Sequence, residues 1–124
     1  VVLIRQYRPT IDGTILEIPA GKLETGEHPE ECIRREIEEE IGCRVTALQP
    51  LSSVYTAIGF CDILLHLFVA EVTETGRQNL EEDEFIEILR VPLPEALKWL
   101  EQGKITDAKT QLALLLHARR CTAG

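Results

Sequence analysis

Hydrophobic and polar positions fall into alternating strand-like and helix-like stretches along this chain. Val1–Tyr7 opens with an unbroken apolar run, which predicts a strand central in its sheet. Pro9 and the Asp12-Gly13 pair predict a hairpin turn, and the β-branched stretch Thr14–Ile18 predicts the returning strand. After a Gly- and Pro-punctuated loop, Pro19–Pro29, the period changes. Ile33, Ile37 and Ile41 recur every four residues, so a helix is expected over Pro29–Ile41, with proline in its first turn and Gly42 as its stop. Val45–Val54 and Asp62–Val72 predict two strands around a turn at Gly59. A polar, acidic loop is expected over Thr73–Glu82, and a strand over Phe85–Val91. Pro94–Gln102 predicts a helix that buries Leu97 and Leu100. A last helix, Asp107–Arg119, starts at a Thr106/Asp107 cap and is expected to bury Ala108, Leu112, Leu115 and Leu116. Strands, helix, strands, helices without regular βαβ alternation indicate an α+β fold, with helices on the faces of a mixed sheet.

The 124 residues suit one domain with one core. No apolar run approaches the roughly 20 residues of a membrane helix, and Val1–Ile4 lacks the flanks of a signal peptide, so no membrane partner is expected. The formal charge is −8 and no basic stripe is visible, which argues against nucleic acid as a partner. A small phosphorylated ligand stays compatible with such a protein if metal ions stand between the two sets of negative charge. Cys32, Cys43, Cys61 and Cys121 form no C-x-x-C pair and no zinc-like spacing. They are expected as small apolar fillers in a reducing compartment, the cytoplasm. The sequence contains no methionine and opens inside a strand, so a preceding segment is expected.

The chemistry concentrates in Gly21–Cys43. With Glu36 set at zero and about 100° per residue, Glu40 lies near about 40° and Glu39 near about −60°. The isoleucines fall between about 60° and 140°, and Glu38 points away near about 200°. Glu36 and Glu40 therefore share a face that borders the buried stripe. Like charges at this spacing repel, and more strongly where burial removes their solvent. A hard cation such as Mg²⁺ or Mn²⁺ would neutralise them; ordinary ion pairs with Arg34 and Arg35 on a solvated helix are the simpler alternative.

The spacing decides between these. Gly21, Glu27, Arg35-Glu36, Ile37, Glu39-Glu40 and Gly42 match every glycine and polar position of G-x5-E-x7-R-E-U-x-E-E-x-G-U, with U a bulky apolar residue. Cys43 takes the last apolar place. This segment resembles the signature of the Nudix hydrolases. The resemblance implies a Nudix-type α/β/α sandwich and a metal-dependent hydrolase of a nucleoside diphosphate linked to a further group. It implies Glu36 and Glu40 as main metal ligands, Glu39 as a further ligand through water, and the Ala20 carbonyl as one more. Arg35 would orient the glutamates, with Glu27 supporting it.

Outside the signature, Gln6-Tyr7-Arg8-Pro9, Glu17-Ile18-Pro19-Ala20-Gly21, Gly59-Phe60-Cys61-Asp62, His66-Leu67-Phe68, Asp83-Glu84-Phe85 and Ile105–Thr110 resemble the ADP-ribose pyrophosphatase branch. That likeness implies substrate contacts from Arg8, with Tyr7 and Gln6 beside it. It also implies a catalytic base or metal ligand in the late acidic loop, Glu84 first and Glu82 second. A homodimer and an N-terminal extension are usual in the branch. The chain departs from it at Ile58 and Ile63, where the branch often has proline and glutamate. Another nucleoside diphosphate sugar, such as GDP-mannose, thus stays open as substrate. A non-catalytic nucleotide-binding domain on the same fold is a further alternative, and so is a nucleotide-pool or decapping enzyme. Simpler roles are expected for His66 and Trp99 as packing and for Asp107 as a helix cap. Arg8 can be an ordinary ion-pair partner, Tyr7 a packing residue, and Glu82 and Glu84 members of a solvated loop.

Overall fold

A computed structural model describes residues 1–82 and 84–123. Its elements run β1 (Val2–Arg8), a 3-10 turn (Pro9–Ile11), β2 (Gly13–Glu17), α1 (Pro29–Ile41) and β3 (Cys43–Tyr55), then β4 (Leu64–Glu74), β5 (Ile86–Arg90), α2 (Leu93–Glu101) and α3 (Ala108–Ala123). The expected helix Pro29–Ile41 is present with those bounds, and Gly42 closes it at φ 64°, a left-handed conformation that costs glycine little. At the β1–β2 turn Asp12 takes φ 46°, and its N–H donates to the Pro9 carbonyl at 3.1 Å.

The arrangement is α+β, as expected, but the sheets differ from the single mixed sheet. Among the described residues every ladder is antiparallel: one sheet has the order β2-β1-β5 and the other pairs β3 with β4. The physical reason lies in the connections. β1–β2 and β3–β4 are hairpins, and a hairpin returns the chain antiparallel, whereas a parallel neighbour needs a long crossover.

β1 is central, as its apolar run predicted. Adjacent residues point to opposite faces of a strand, and both faces are covered. Leu3 packs with Leu16, Ala96, Ile105 and Leu114 under α2 and α3; Ile4 packs with Ile37, Ile41, Cys43 and Val45 under α1 and β3. A third cluster, Leu51, Leu67 and Ala113, joins α3 to the β3–β4 hairpin. Burying one such aliphatic side chain stabilises by about 1.5–3 kcal/mol. α3 turns a different face inward from the expected one. Thr110, Ala113 and Leu114 are buried, while Ala108 and Leu115 are exposed. Four leucines within six residues fit more than one helical stripe, and only contact with the sheet selects among them. The Asp107 cap is present: its Oδ2 accepts from the Thr110 N–H at 3.1 Å and from the Thr110 hydroxyl at 2.6 Å.

Candidate active site

Glu36 and Glu40 of the Gly21–Cys43 signature, the box, meet where the loop after β2 crosses α1. Gly21 lies against Glu36 so closely that a Cβ there would overlap the Glu36 carboxyl carbon. The neighbouring Ala20 N–H donates to Glu40 Oε2 at 3.3 Å. Glu40 is only 7% exposed. Its position near the apolar stripe, beside Ile37 and Ile41, accounts for that burial. Burial and the charge of Glu36 push the Glu40 carboxyl up to about 8, and the charge of Glu84 adds to this. Burial also raises the Glu36 carboxyl, against the opposing pull of Arg35.

Arg35 organises the outer side of the helix. Its Nε and Nη2 donate to the two Glu27 carboxylate oxygens at 2.9 and 3.0 Å. Its Nη1 donates to Glu36 at 2.8 Å and to Glu39 at 3.3 Å. The hydrogen bonds from Arg35 hold the Glu27 carboxyl at about 2. Glu27 also accepts from the Glu24 N–H at 3.0 Å, which fixes the loop ahead of the helix.

Glu36 and Glu40 are thus brought together with the Ala20 backbone. Glu39 faces Arg35. Glu84 is turned into its own loop: its Oε1 accepts from the Glu81 N–H at 2.8 Å and its N–H donates to the Glu81 carbonyl at 2.9 Å. Glu82 is exposed in that turn, and Asp83, part of the branch resemblance, lies outside the described residues. Among the described residues, no three His, Cys, Asp or Glu side chains stand close enough together to hold an ion as they are.

The substrate trio is split by strand alternation. Gln6 and Arg8 share a face of β1 with Ile4, which pairs with Glu17 across the ladder. Both reach Glu17: Gln6 Nε2 at 3.0 Å, Arg8 Nε at 2.8 Å and Arg8 Nη2 at 3.1 Å. Tyr7 points the other way, is exposed, and its hydroxyl donates to Asp12 at 2.5 Å. Glu17 and Lys109 were not singled out from sequence. Glu17 is 3% exposed, and Lys109 Nζ donates to it at 2.5 Å and to Asp107 at 3.0 Å. Burial alone would push the Glu17 carboxyl up; hydrogen bonds from Arg8 and Lys109 overcome this and hold it at about 2. A usable signal was present: a charged residue between the apolar Ile15-Leu16 and Ile18 on the returning strand.

His66, expected as packing, is half-buried, and its Nδ1 shares a 2.9 Å hydrogen bond with the Ser53 hydroxyl. Trp99 packs on the cluster under α2, and its indole N–H donates to Glu95 at 3.1 Å. All four cysteines are free. Cys32 and Cys43 are buried fillers; Cys121 is exposed, unlike the expectation. A cleft of about 620 Å³ opens beside the box, with Ala20, Gly21, Ile37, Val72 and Lys109 among its walls. Another cavity, about 510 Å³, lies by His28, Ser53 and His66, and neither cavity has Glu36, Glu39 or Glu40 among its walls. Among the described residues no helix is long and apolar enough to cross a membrane.

Fold and site together define an α+β domain built around a loop, an acidic helix and a returning loop. This chain belongs to the Nudix family: the NUDIX domain model matches residues 1–114. It is 44% identical over 117 residues to the ADP-ribose pyrophosphatase of Bacillus subtilis (strain 168), covering 92% of this chain and 63% of that protein. It is 46% identical over 123 residues to the GDP-mannose pyrophosphatase of Cronobacter sakazakii (strain ATCC BAA-894), covering 92% of this chain and 64% of that protein. The chain therefore spans just under two thirds of the length of these relatives. A crystal structure of an ADP compounds hydrolase shares the fold at a TM-score of 0.87 and 24% identity, over 98% of this chain and 66% of that one.

Proposed function

We propose that the protein hydrolyses the pyrophosphate bond of a nucleoside diphosphate sugar with the help of Mg²⁺, ADP-ribose being the first candidate. The observation that carries this is the Glu36–Glu40 pair, two desolvated carboxylates held beside Gly21, where a methyl group would displace the Glu36 carboxyl. A pair of mutually repelling oxygen donors suits a hard divalent cation better than an apolar fold alone explains. Glu36 and Glu40 would hold the ion with the Ala20 carbonyl, and Glu39 through water. A cation held there would offset the charge of the pyrophosphate and ease deprotonation of an attacking water.

The chain's own residues do the rest. Arg35, locked by Glu27, keeps Glu36 and Glu39 in place. Arg8, anchored through Nε and Nη2 on Glu17, keeps Nη1 available for a phosphate oxygen. Gln6 shares the face of Arg8 and flanks the ligand, whereas Tyr7, on the opposite face and bonded to Asp12, takes no part. Glu84 accepts the proton of the attacking water, with Glu82 as the second choice. The Glu84 Oε1 accepts from the Glu81 N–H, and the second oxygen of the carboxylate can take the proton. Water adds to one phosphorus, one P–O bond of the bridge breaks, and two monophosphates leave, AMP and ribose 5-phosphate from ADP-ribose.

ADP-ribose is supported by the Bacillus relative, and GDP-mannose is kept as the alternative by the Cronobacter relative and by Ile58 and Ile63. The cytoplasmic setting rests on the free cysteines, and the homodimer rests on the branch resemblance alone. The test is hydrolysis of ADP-ribose and GDP-mannose with Mg²⁺ and with EDTA. Metal-dependent AMP release from ADP-ribose is expected. Release of GMP alone transfers the proposal to GDP-mannose, and saturable binding with no product from either ligand sinks it in favour of a binding domain.

A further inference from the structure

The C-terminal end of α1 is held by the chain that follows β4. A helix leaves its last carbonyls without partners inside the helix. Here they are taken up in order. The Asn79 N–H donates to the Glu39 carbonyl at 2.7 Å, and the Thr75 and Gly76 N–H groups donate to the Gly42 carbonyl at 3.1 and 3.3 Å. The Gln78 side chain supplies the central link: its Nε2 donates to the Glu40 carbonyl at 2.7 Å and to the Ile86 carbonyl at 3.2 Å. Approach is close enough that a Cβ on Gly42 would stand 2.6 Å from the Gly76 carbonyl oxygen.

Gln78 therefore clamps both ends of one loop. Upstream, Gln78 and Asn79 are tied to the backbone of Glu39 and Glu40. Downstream, the same amide group grips Ile86, the first residue of β5. Glu84 lies between these anchors. From this geometry we infer that Gln78 is a positioning residue: its amide holds the loop that carries Glu84 in register with the helix that carries Glu36 and Glu40. The inference rests on the proposed hydrolase reading for its catalytic consequence, although the clamp itself does not. Both Nε2 hydrogens are used, so the role needs a primary amide. A glutamate of the same shape offers acceptors only, facing two carbonyls.

The test compares Gln78→Ala and Gln78→Glu with Arg77→Ala, a change at the exposed neighbour. Amide hydrogen exchange without substrate is read first. The Asn79 amide should lose protection by roughly tenfold in both Gln78 variants and keep it in Arg77→Ala, the scale of one lost hydrogen-bonded link. Steady-state kinetics with ADP-ribose and Mg²⁺ follow. The Gln78 variants should lose roughly tenfold in kcat with KM within about twofold, because substrate contacts on β1 are untouched. Unchanged exchange in both variants overturns the clamp. Lost protection with unchanged kcat overturns the positioning role. Should the parent protein turn over no nucleoside diphosphate sugar, the function reading fails separately, and exchange still decides the clamp.

Discussion

Glu17 and Glu40 are both buried, on neighbouring segments, and their surroundings do opposite things to them. Glu17 is met by Arg8, Lys109 and Gln6 and held at about 2. Glu40 is met by another carboxylate and one N–H, and is pushed up to about 8. The first arrangement is complete within the chain: every charge has its partner, and it fastens the β1–β2 hairpin to the start of α3. The second is incomplete. A protein keeps such a frustrated pair where something else binds. Under the proposed function, the difference separates a carboxylate that serves the fold from one that would serve a ligand, although both lie in glutamate-containing stretches that resemble the same family.

Removing the buried Glu17 carboxylate should have the largest effect on stability. Glu17→Ala leaves the half-buried Lys109 with Asp107 as its remaining counter-charge, and a loss of about 2–3 kcal/mol is expected in urea unfolding. A loss under about 1 kcal/mol would mean that Glu17 does not fasten the β1–β2 hairpin to α3. Glu40→Gln should do the reverse. Without metal the variant should be at least as stable as the parent, since it removes a repulsion, while Mg²⁺-dependent turnover falls at least about 100-fold. Full turnover in Glu40→Gln would break the contrast at its other end. Gly21→Ala comes next. Its Cβ displaces the flexible end of Glu36 rather than backbone, so the protein should fold, and activity should drop by roughly tenfold through misplaced ligand geometry.

The smallest effect is the change of stability with pH, and the two sites carry opposite signs. The folded-state pKa of Glu17 is depressed from 4.5 to about 2, so its contribution is complete above 4.5 and disappears as pH falls through about 2. Glu40 is raised from 4.5 to about 8, so without metal its contribution is complete below 4.5 and is lost as pH rises through about 8. Urea midpoints in EDTA should decline on both sides. Glu17→Gln should flatten the acid decline and Glu40→Gln the alkaline one, and Mg²⁺ should offset the alkaline decline by favouring the charged carboxylates. An alkaline limb unchanged in Glu40→Gln would remove Glu40 as its cause.

Sequence by itself determined what is local. The period of four among Ile33, Ile37 and Ile41, the proline at the start and Gly42 at the end settle α1, because a helix is specified by neighbours a few residues apart. The spacing of the box then placed Glu36 and Glu40 on one face. Tertiary structure decided what depends on segments far apart in the chain. It chose antiparallel pairing of β1 with β5, turned Ala113 and Leu114 of α3 inward in place of Leu115, and put Tyr7 on the face opposite Gln6 and Arg8. It also brought Lys109 to Glu17, a pairing across the length of the domain. Composition and periodicity report which residues want burial or a partner; which partner they get is set when sheets and helices pack, and no local pattern encodes that choice.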